Sequence, residues 1–167
     1  VSRLLKQDII EALENRIWSK MGAGEDAFVL LDAFTNCCAG GGLNATARDL
    51  ARFASVMLSA GKSGDTPIIP KSAIDTLTRG SSTKVFLKGS CAEEEMANGY
   101  WSYCAQWWIR NTPGSNAMIA MGISGQWIYI DRNRGVAVIK QSSQPKVNRW
   151  YDDTFTLNAI VRCVAGK

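Results

Sequence analysis

The sequence contains no histidine, and that absence removes several chemistries at once. A Ser-His-Asp triad cannot be assembled from these residues alone. A zinc site would have to be built from thiolates and carboxylates, and no such ligand spacing is present, so neither a metal nor another cofactor is expected. No apolar run approaches the roughly 20 residues that a membrane-spanning helix needs. The opening VSRLLKQDII lacks the continuous apolar centre of a signal peptide. There is no C-x-x-C, no internal repeat and no low-complexity tract. The 19 basic residues barely outnumber the 15 acidic ones. They are scattered singly, as at Arg48, Arg52, Lys62 and Lys71, so no stripe suited to nucleic acid forms.

What is present is enough for one core: 167 residues, 46% of them hydrophobic. Residues 3 to 21 carry Leu5, Ile9, Ala12, Leu13 and Ile17 on one helical face, and Met21-Gly22 ends the run. A loop follows, with a short apolar centre at Phe28 to Leu31 and a glycine triplet at Gly40 to Gly42. Thr46 and Asp49 form a capping-box-like pair ahead of the stripe Leu50, Phe53, Ala54, Met57 and Leu58, and Gly61 closes that helix. Pro70 and Gly80 bracket a short third helix.

From residue 81 to 99 the periodicity dissolves into an exposed loop, whose Glu93-Glu94-Glu95 run reads as solvated surface. Then YCAQWWIR, NAMIAMG, QWIYID and GVAVIKQSS read as strands, with Asp131 to Gly135 short enough to close a hairpin. A last helix from about Asn148 to Ala165 presents Trp150, Leu157, Val161 and Val164 inward. The fold class is α+β: helices over 1–80, a loop over 81–99, and antiparallel strands with a covering helix over 100–167, all one domain.

Motifs that invite a quick assignment fail on context. GKSG at Gly61 to Gly64 has Val56 where a phosphate loop needs glycine, and GISGQ has Gln126 where a nucleophile elbow needs its last glycine. Ser-x-x-Lys occurs as Ser59/Lys62, Ser81/Lys84 and Ser143/Lys146. The chemistry needs the serine to open a buried helix, so that a lysine one turn later can accept its proton. Ser59 lies at a helix end, Ser81 opens a polar loop and the third pair contains Pro145. The aromatic cluster Tyr100, Trp101, Tyr103, Trp107 and Trp108 suits a core or a cleft equally. On alternation Trp107 and Trp108 face opposite sides of a sheet. One stretch stays unexplained: MGISGQWIYID, where Gly122 and Gly125 flank the small hydroxyl of Ser124 at a bulge or close approach of backbone.

Three stretches together resemble the serine β-lactamase-like hydrolases. That family takes in class C β-lactamases, related esterases and D-amino-acid peptidases, and the likeness is greatest to the 6-aminohexanoate-dimer hydrolase group. The stretches are Glu14 to Asp32, GGLNATARDLARFASVML from Gly41 to Leu58, and Tyr103 to Ser142 with QWW and G-I-x-G-Q-x-x-Y-x-D. Their order matches the C-terminal half of that family. The resemblance implies the C-terminal portion of the β-lactamase/transpeptidase-like fold, and a serine hydrolase cleaving a small-molecule amide or ester through an acyl-enzyme. Family members carry the nucleophile in Ser-x-x-Lys and a tyrosine in Tyr-x-Asn, both before the first helix seen here. The chain therefore looks like the latter part of an enzyme and, alone, inactive; the missing N-terminal half is its expected partner.

The resemblance also gives the glycine-flanked serine a place, on the strand beside the nucleophile. There the Ile123 backbone N–H would donate to the oxyanion, and Gly122, Ser124 and Gly125 would line the substrate. No lysine stands near Ala120, where the family's Lys-Thr-Gly would put one, so a cationic clamp for a substrate carboxylate is missing from that strand. The family leaves the bacterial cytoplasm and periplasm both open.

Two other readings compete: a non-catalytic penicillin-recognition-like binding module, and a thiol redox protein using Cys37-Cys38. The five cysteines (Cys37, Cys38, Cys91, Cys104, Cys163) are odd in number, and a vicinal pair bridges only with strain, which argues for free thiols and a reducing compartment. All five thiols are expected to react when the denatured chain is titrated without reductant. A smaller count would reveal a disulfide.

Overall fold

The computed structural model describes residues 2–89, 96–145 and 150–165. The chain divides into two compact units, Val1–Pro70 and Lys71–Lys167.

The first unit begins with two short helices, α1 (Ser2–Leu5) and α2 (Ile9–Leu13), and a π-turn over Glu14–Trp18. The continuous helix expected over 3–21 is broken for two local reasons. Lys6 turns left-handed at φ 49°, and Asp8 caps a new helix by accepting from the Ile10 N–H at 2.7 Å. The Ser19 N–H then bonds the Glu14 carbonyl at 3.1 Å, five residues back. That wider turn moves the chain out of the 3.6-residue phase, and Trp18 is buried with Met21 and Val56, Ile17 packing against them.

Strands β1 (Phe28–Val29) and β2 (Leu43–Asn44) pair antiparallel, ahead of α3 (Ala47–Leu58) and a β3–β4 hairpin (Lys62–Ser63, Thr66–Pro67). Thr46 caps α3 as expected, its hydroxyl oxygen accepting from the Asp49 N–H at 3.1 Å. The Asp49 carboxylate is fully buried. It accepts from the Gly24 N–H at 2.8 Å, the Thr46 hydroxyl at 2.7 Å and Arg52 at 2.6 Å. The Gly24 bond foremost, then Thr46, holds its carboxyl below the usual range.

The second unit is a five-stranded antiparallel meander, β5 (Trp101–Cys104), β6 (Trp107–Thr112), β7 (Ser115–Gly122), β8 (Gln126–Asp131) and β9 (Val136–Lys140), in sequential order. Helices α4 (Lys71–Arg79), α5 (Thr83–Phe86) and α6 (Trp150–Val164) complete it. YCAQWWIR, expected as one strand, is a hairpin. Ala105 and Gln106 both take positive φ, 45° and 69°, and Cys104 pairs with Trp107. Two consecutive left-handed residues are what a tight hairpin turn requires, and with neither Asn nor Gly at these positions no local signal marks one. The last strand stops at Lys140, short of the expected Ser143.

Alternation sorts the side chains into two faces. Ala117, Ile119, Trp127 and Tyr129 pack with Phe86, Leu157 and Val161, while α4 lies across β6 and β7. Trp108 belongs to the first face, edge-on to Phe86 and Tyr103. Within 81–99, α5 and its buried Phe86 replace part of the expected loop. Glu93 to Glu95 and Cys91 lie outside the described residues, as do Asn148 and the side chain of Trp150. In α6, Leu157 and Val161 are inward as expected, but Val164, the last residue of the helix, is 65% exposed.

At the start of β7 and the end of β8 sits a fully buried carboxylate, Asp131. It accepts from the Ser115 hydroxyl at 2.5 Å, the Tyr129 hydroxyl at 3.1 Å and the N–H groups of Asn116 and Arg134 at 3.3 and 3.2 Å. Burial, then the neighbouring Asp131 charge, pushes the Tyr129 phenol up. The folded phenol holds its proton more tightly than the unfolded one. The stability it contributes is complete below its unfolded pKa of about 10 and is lost as pH rises through the folded value. Tyr129→Phe should cost about 1–3 kcal/mol at neutral pH, because a buried acceptor loses a donor. It should also show a shallower loss of stability than the unsubstituted protein above about pH 10. Urea unfolding at pH 7 and across the alkaline range checks both, and parallel alkaline slopes would contradict the assignment.

Candidate functional site

The β7–β8 ladder runs from Ala117↔Asp131 to Gly122↔Gln126, and a single turn, Ile123–Gly125, closes it. Gly122 ends β7 in extended conformation, at φ −111° and ψ 165°. A β-carbon on Gly122 would stand 3.0 Å from Gln126 Cβ, so the narrow end of the hairpin has room for one side chain only. Ser124 (φ 57°) and Gly125 (φ 78°) are both left-handed. Turns are among the backbone conformations whose successive N–H groups can form a concavity that suits an anion. The Ile123 side chain stands 73% exposed while Gly125 is buried, so the turn offers its first residue outward and its last inward. The sequence-derived set Gly122, Ile123, Ser124 and Gly125 is thus one continuous structural feature.

The underside of the turn is filled by the chain that follows β9. Gln126 and Ser142 are joined twice: the Ser142 N–H donates to Gln126 Oε1 at 3.2 Å, and Gln126 Nε2 donates back to the Ser142 carbonyl. The Gln144 N–H donates to the Ser124 carbonyl at 3.3 Å. A β-carbon on Gly125 would lie 2.6 Å from Gln144 Oε1 and 2.9 Å from Lys140 Nζ. Two groups absent from the candidate set therefore border the turn, an amide and an ammonium. Counting back from the Asp131↔Val136 pair gives Lys140 opposite Trp127, at the turn end of the sheet. That register was available from the hairpin connection; the approach of Lys140 Nζ to Gly125 was not.

Neither Ser-x-x-Lys pair that lies wholly within the described residues meets the geometric requirement for a nucleophile and its base. Ser59 is the C-cap of α3 rather than the start of a helix, and the Ser81 hydroxyl donates to the Tyr103 carbonyl at 2.7 Å. Lys146 lies outside the described residues. In the first unit Cys37 and Cys38 line an apolar cavity of about 200 Å³ with Ile9, Ile10, Leu13 and Val29; Cys37, Cys38, Cys104 and Cys163 are free thiols. Among the described residues no group of three or more thiols and carboxylates is placed to hold a metal ion, and no helix is long and apolar enough to cross a membrane.

No family model matches the chain. It is 28% identical over 155 residues to the 6-aminohexanoate-dimer hydrolase of Paenarthrobacter ureafaciens, an alignment covering 90% of this chain and 38% of that one. Its fold matches that of a provisionally assigned 6-aminohexanoate-dimer hydrolase from Bacillus anthracis with a TM-score of 0.77 and 27% identity, over 98% of this chain and 39% of the other. The chain spans less than two fifths of the length of both relatives.

The turn's geometry sets unequal tolerances at neighbouring positions. Ser124→Gly should leave stability within about 0.5 kcal/mol, relief of the left-handed serine being offset by the greater freedom of the unfolded chain. Gly125→Ala should cost about 1–3 kcal/mol, since it combines positive φ with a β-carbon driven into Gln144 and Lys140. Chemical denaturation of the two variants tests the ordering, and equal effects would refute this account of the turn.

Proposed function

We propose that this chain, a homologue of the β-lactamase-like hydrolases in sequence and fold, supplies the oxyanion side of a serine hydrolase that cleaves an amide or ester through an acyl-enzyme. The observation that carries the reading is the Gly122–Gly125 turn: a strand end with no side chain in the way, followed by two consecutive left-handed residues. The relatives are named for hydrolysis of a dimer of 6-aminohexanoate, whose two units are joined through a carbonyl. A site that bonds a carbonyl oxygen as it becomes negative is the part of such chemistry that backbone alone can provide.

In this reading a serine outside these residues attacks the substrate carbonyl carbon as its proton passes to a base, also outside them. The carbonyl oxygen gains the electron pair and accepts a hydrogen bond from the Ile123 N–H. Collapse of the tetrahedral species expels an amine or alcohol, and water then hydrolyses the acyl-serine. Gly122 keeps the approach clear, Gly125 lets the turn close, and Ser124 presents a hydroxyl beside the substrate without serving as the nucleophile. Removing one such donor in other enzymes lowers the rate about 10²–10³-fold, which sets the scale of what the turn contributes.

The test uses the full-length gene product, a fluorescent phosphonate that labels activated serines, and a panel of short amides and esters. Labelling should map to a serine outside this chain. Ser124→Ala should keep the label and change the order of preference among substrates. A label mapped to Ser124 or to any other serine of this chain, or no label at all, would sink the proposal.

A further inference from the structure

Strand β7, which delivers the turn, carries no basic residue between Ser115 and Gly122, yet the turn does not lack a nearby cation. Lys140, the last residue of β9, brings its Nζ to within 2.9 Å of the position a Gly125 β-carbon would take. The basic residues of the β8–β9 connection are engaged at the other end of that hairpin, Arg132 with Asp75 and Arg134 with Asp131. Three features place the Lys140 ammonium by construction. Its strand register is fixed opposite Trp127. The chain just beyond it is tied to Gln126 through Ser142. Glycine at 125 leaves the space that the ammonium borders.

We propose that Lys140 is a positioning residue: its ammonium, held beside Gly125, is a fixed positive charge that strengthens the turn's N–H groups toward an oxygen becoming negative. This rests on the oxyanion reading of the turn given above. A unit charge a few ångströms behind a hydrogen-bond donor, partly shielded from water, favours an anion there by far more than it favours the neutral carbonyl that precedes it. The effect belongs to the transition state, so it appears in kcat rather than KM. It is also indifferent to substrate charge, because Lys140 acts through the turn and not by touching the substrate.

The experiment compares the full-length protein with its Lys140→Met and Lys140→Arg variants on two activated esters, one neutral and one bearing a carboxylate on its acyl chain. Phosphonate labelling and thermal unfolding are followed in parallel. Lys140→Met should lower kcat about 10–100-fold on both esters while KM stays within about 2-fold. Lys140→Arg, which keeps the charge, should recover most of the loss. Unchanged kcat in Lys140→Met overturns the proposal. So does a loss confined to KM for the carboxylate ester, which would make Lys140 a direct substrate ligand. If the methionine variant fails to fold, Lys140→Gln takes its place, and failure of both variants to fold would make Lys140 part of the framework and overturn the proposal as well. An unsubstituted protein that takes no label sinks the hydrolase reading and this one with it. A labelled protein with an indifferent Lys140→Met sinks only the role of Lys140.

Discussion

A buried carboxylate sets the register on which everything in the second unit depends. Asp131 has no exposure to water, and a lone carboxylate so placed would be prohibitively costly unless several donors faced it. Those donors come from the start of β7 (Ser115 and Asn116), from β8 itself (Tyr129) and from the following turn (Arg134). They meet only if Ala117 lies opposite Asp131. A slip of one residue would turn Asp131 to the opposite face, that of Ile109 and Met118, away from these donors. The same ladder, followed to its other end, brings Gly122 opposite Gln126 and leaves Ile123, Ser124 and Gly125 as the only residues available to close it. The candidate site is thus positioned by a polar cluster at the far end of its own hairpin.

The first unit uses the same device on a helix. Asp49 is buried at the start of α3, and its oxygens gather Gly24, Thr46 and Arg52. The sequence shows Thr46 and Asp49 as a capping pair, but the reciprocal arrangement is altered. The carboxylate bonds the Thr46 hydroxyl and a distant loop N–H rather than the N-cap backbone. A local signal that marks where a helix begins has become a tertiary tie between the helix and the segment after Trp18.

How far these features were legible depended on whether the determining contacts were local. The apolar stripe of α3, the proline-to-glycine bracket of α4 and the Asp131–Gly135 connection are properties of neighbouring residues, and each appears at or near its expected place. The hairpin at Ala105 and Gln106 was not legible. Neither residue prefers positive φ, and the pairing of Trp101 to Cys104 with Trp107 to Arg110 overrides that preference. The π-turn at Glu14–Trp18 was hidden for a similar reason: burial of Trp18 decides the phase, and an ideal helical period cannot show it. Val164 was expected inward, but the face that packs on the core runs Leu157, Val161 and Ala165, four residues apart, and leaves Val164 beside it.

At the candidate site the division falls between backbone and side chain. Gly122 and Gly125 announce themselves because a strand has no other reason to carry glycine twice in four residues. Their requirements, extended at one position and left-handed at the other, are what the structure places there. Lys140 and Gln144 do not announce themselves. A lysine ending a strand and a glutamine in a polar stretch are ordinary surface residues until register and chain direction carry them beneath the turn. Ser124, left-handed without being glycine, holds a conformation that a serine seldom takes unaided. The two hydrogen bonds between Gln126 and Ser142, together with the one from the Gln144 N–H to the Ser124 carbonyl, tie the segment after β9 to that conformation. The glycines make the cradle possible, and residues 140–144 make it rigid. Rigidity is what a donor must have if it is to favour a developing charge without first reorganising around it.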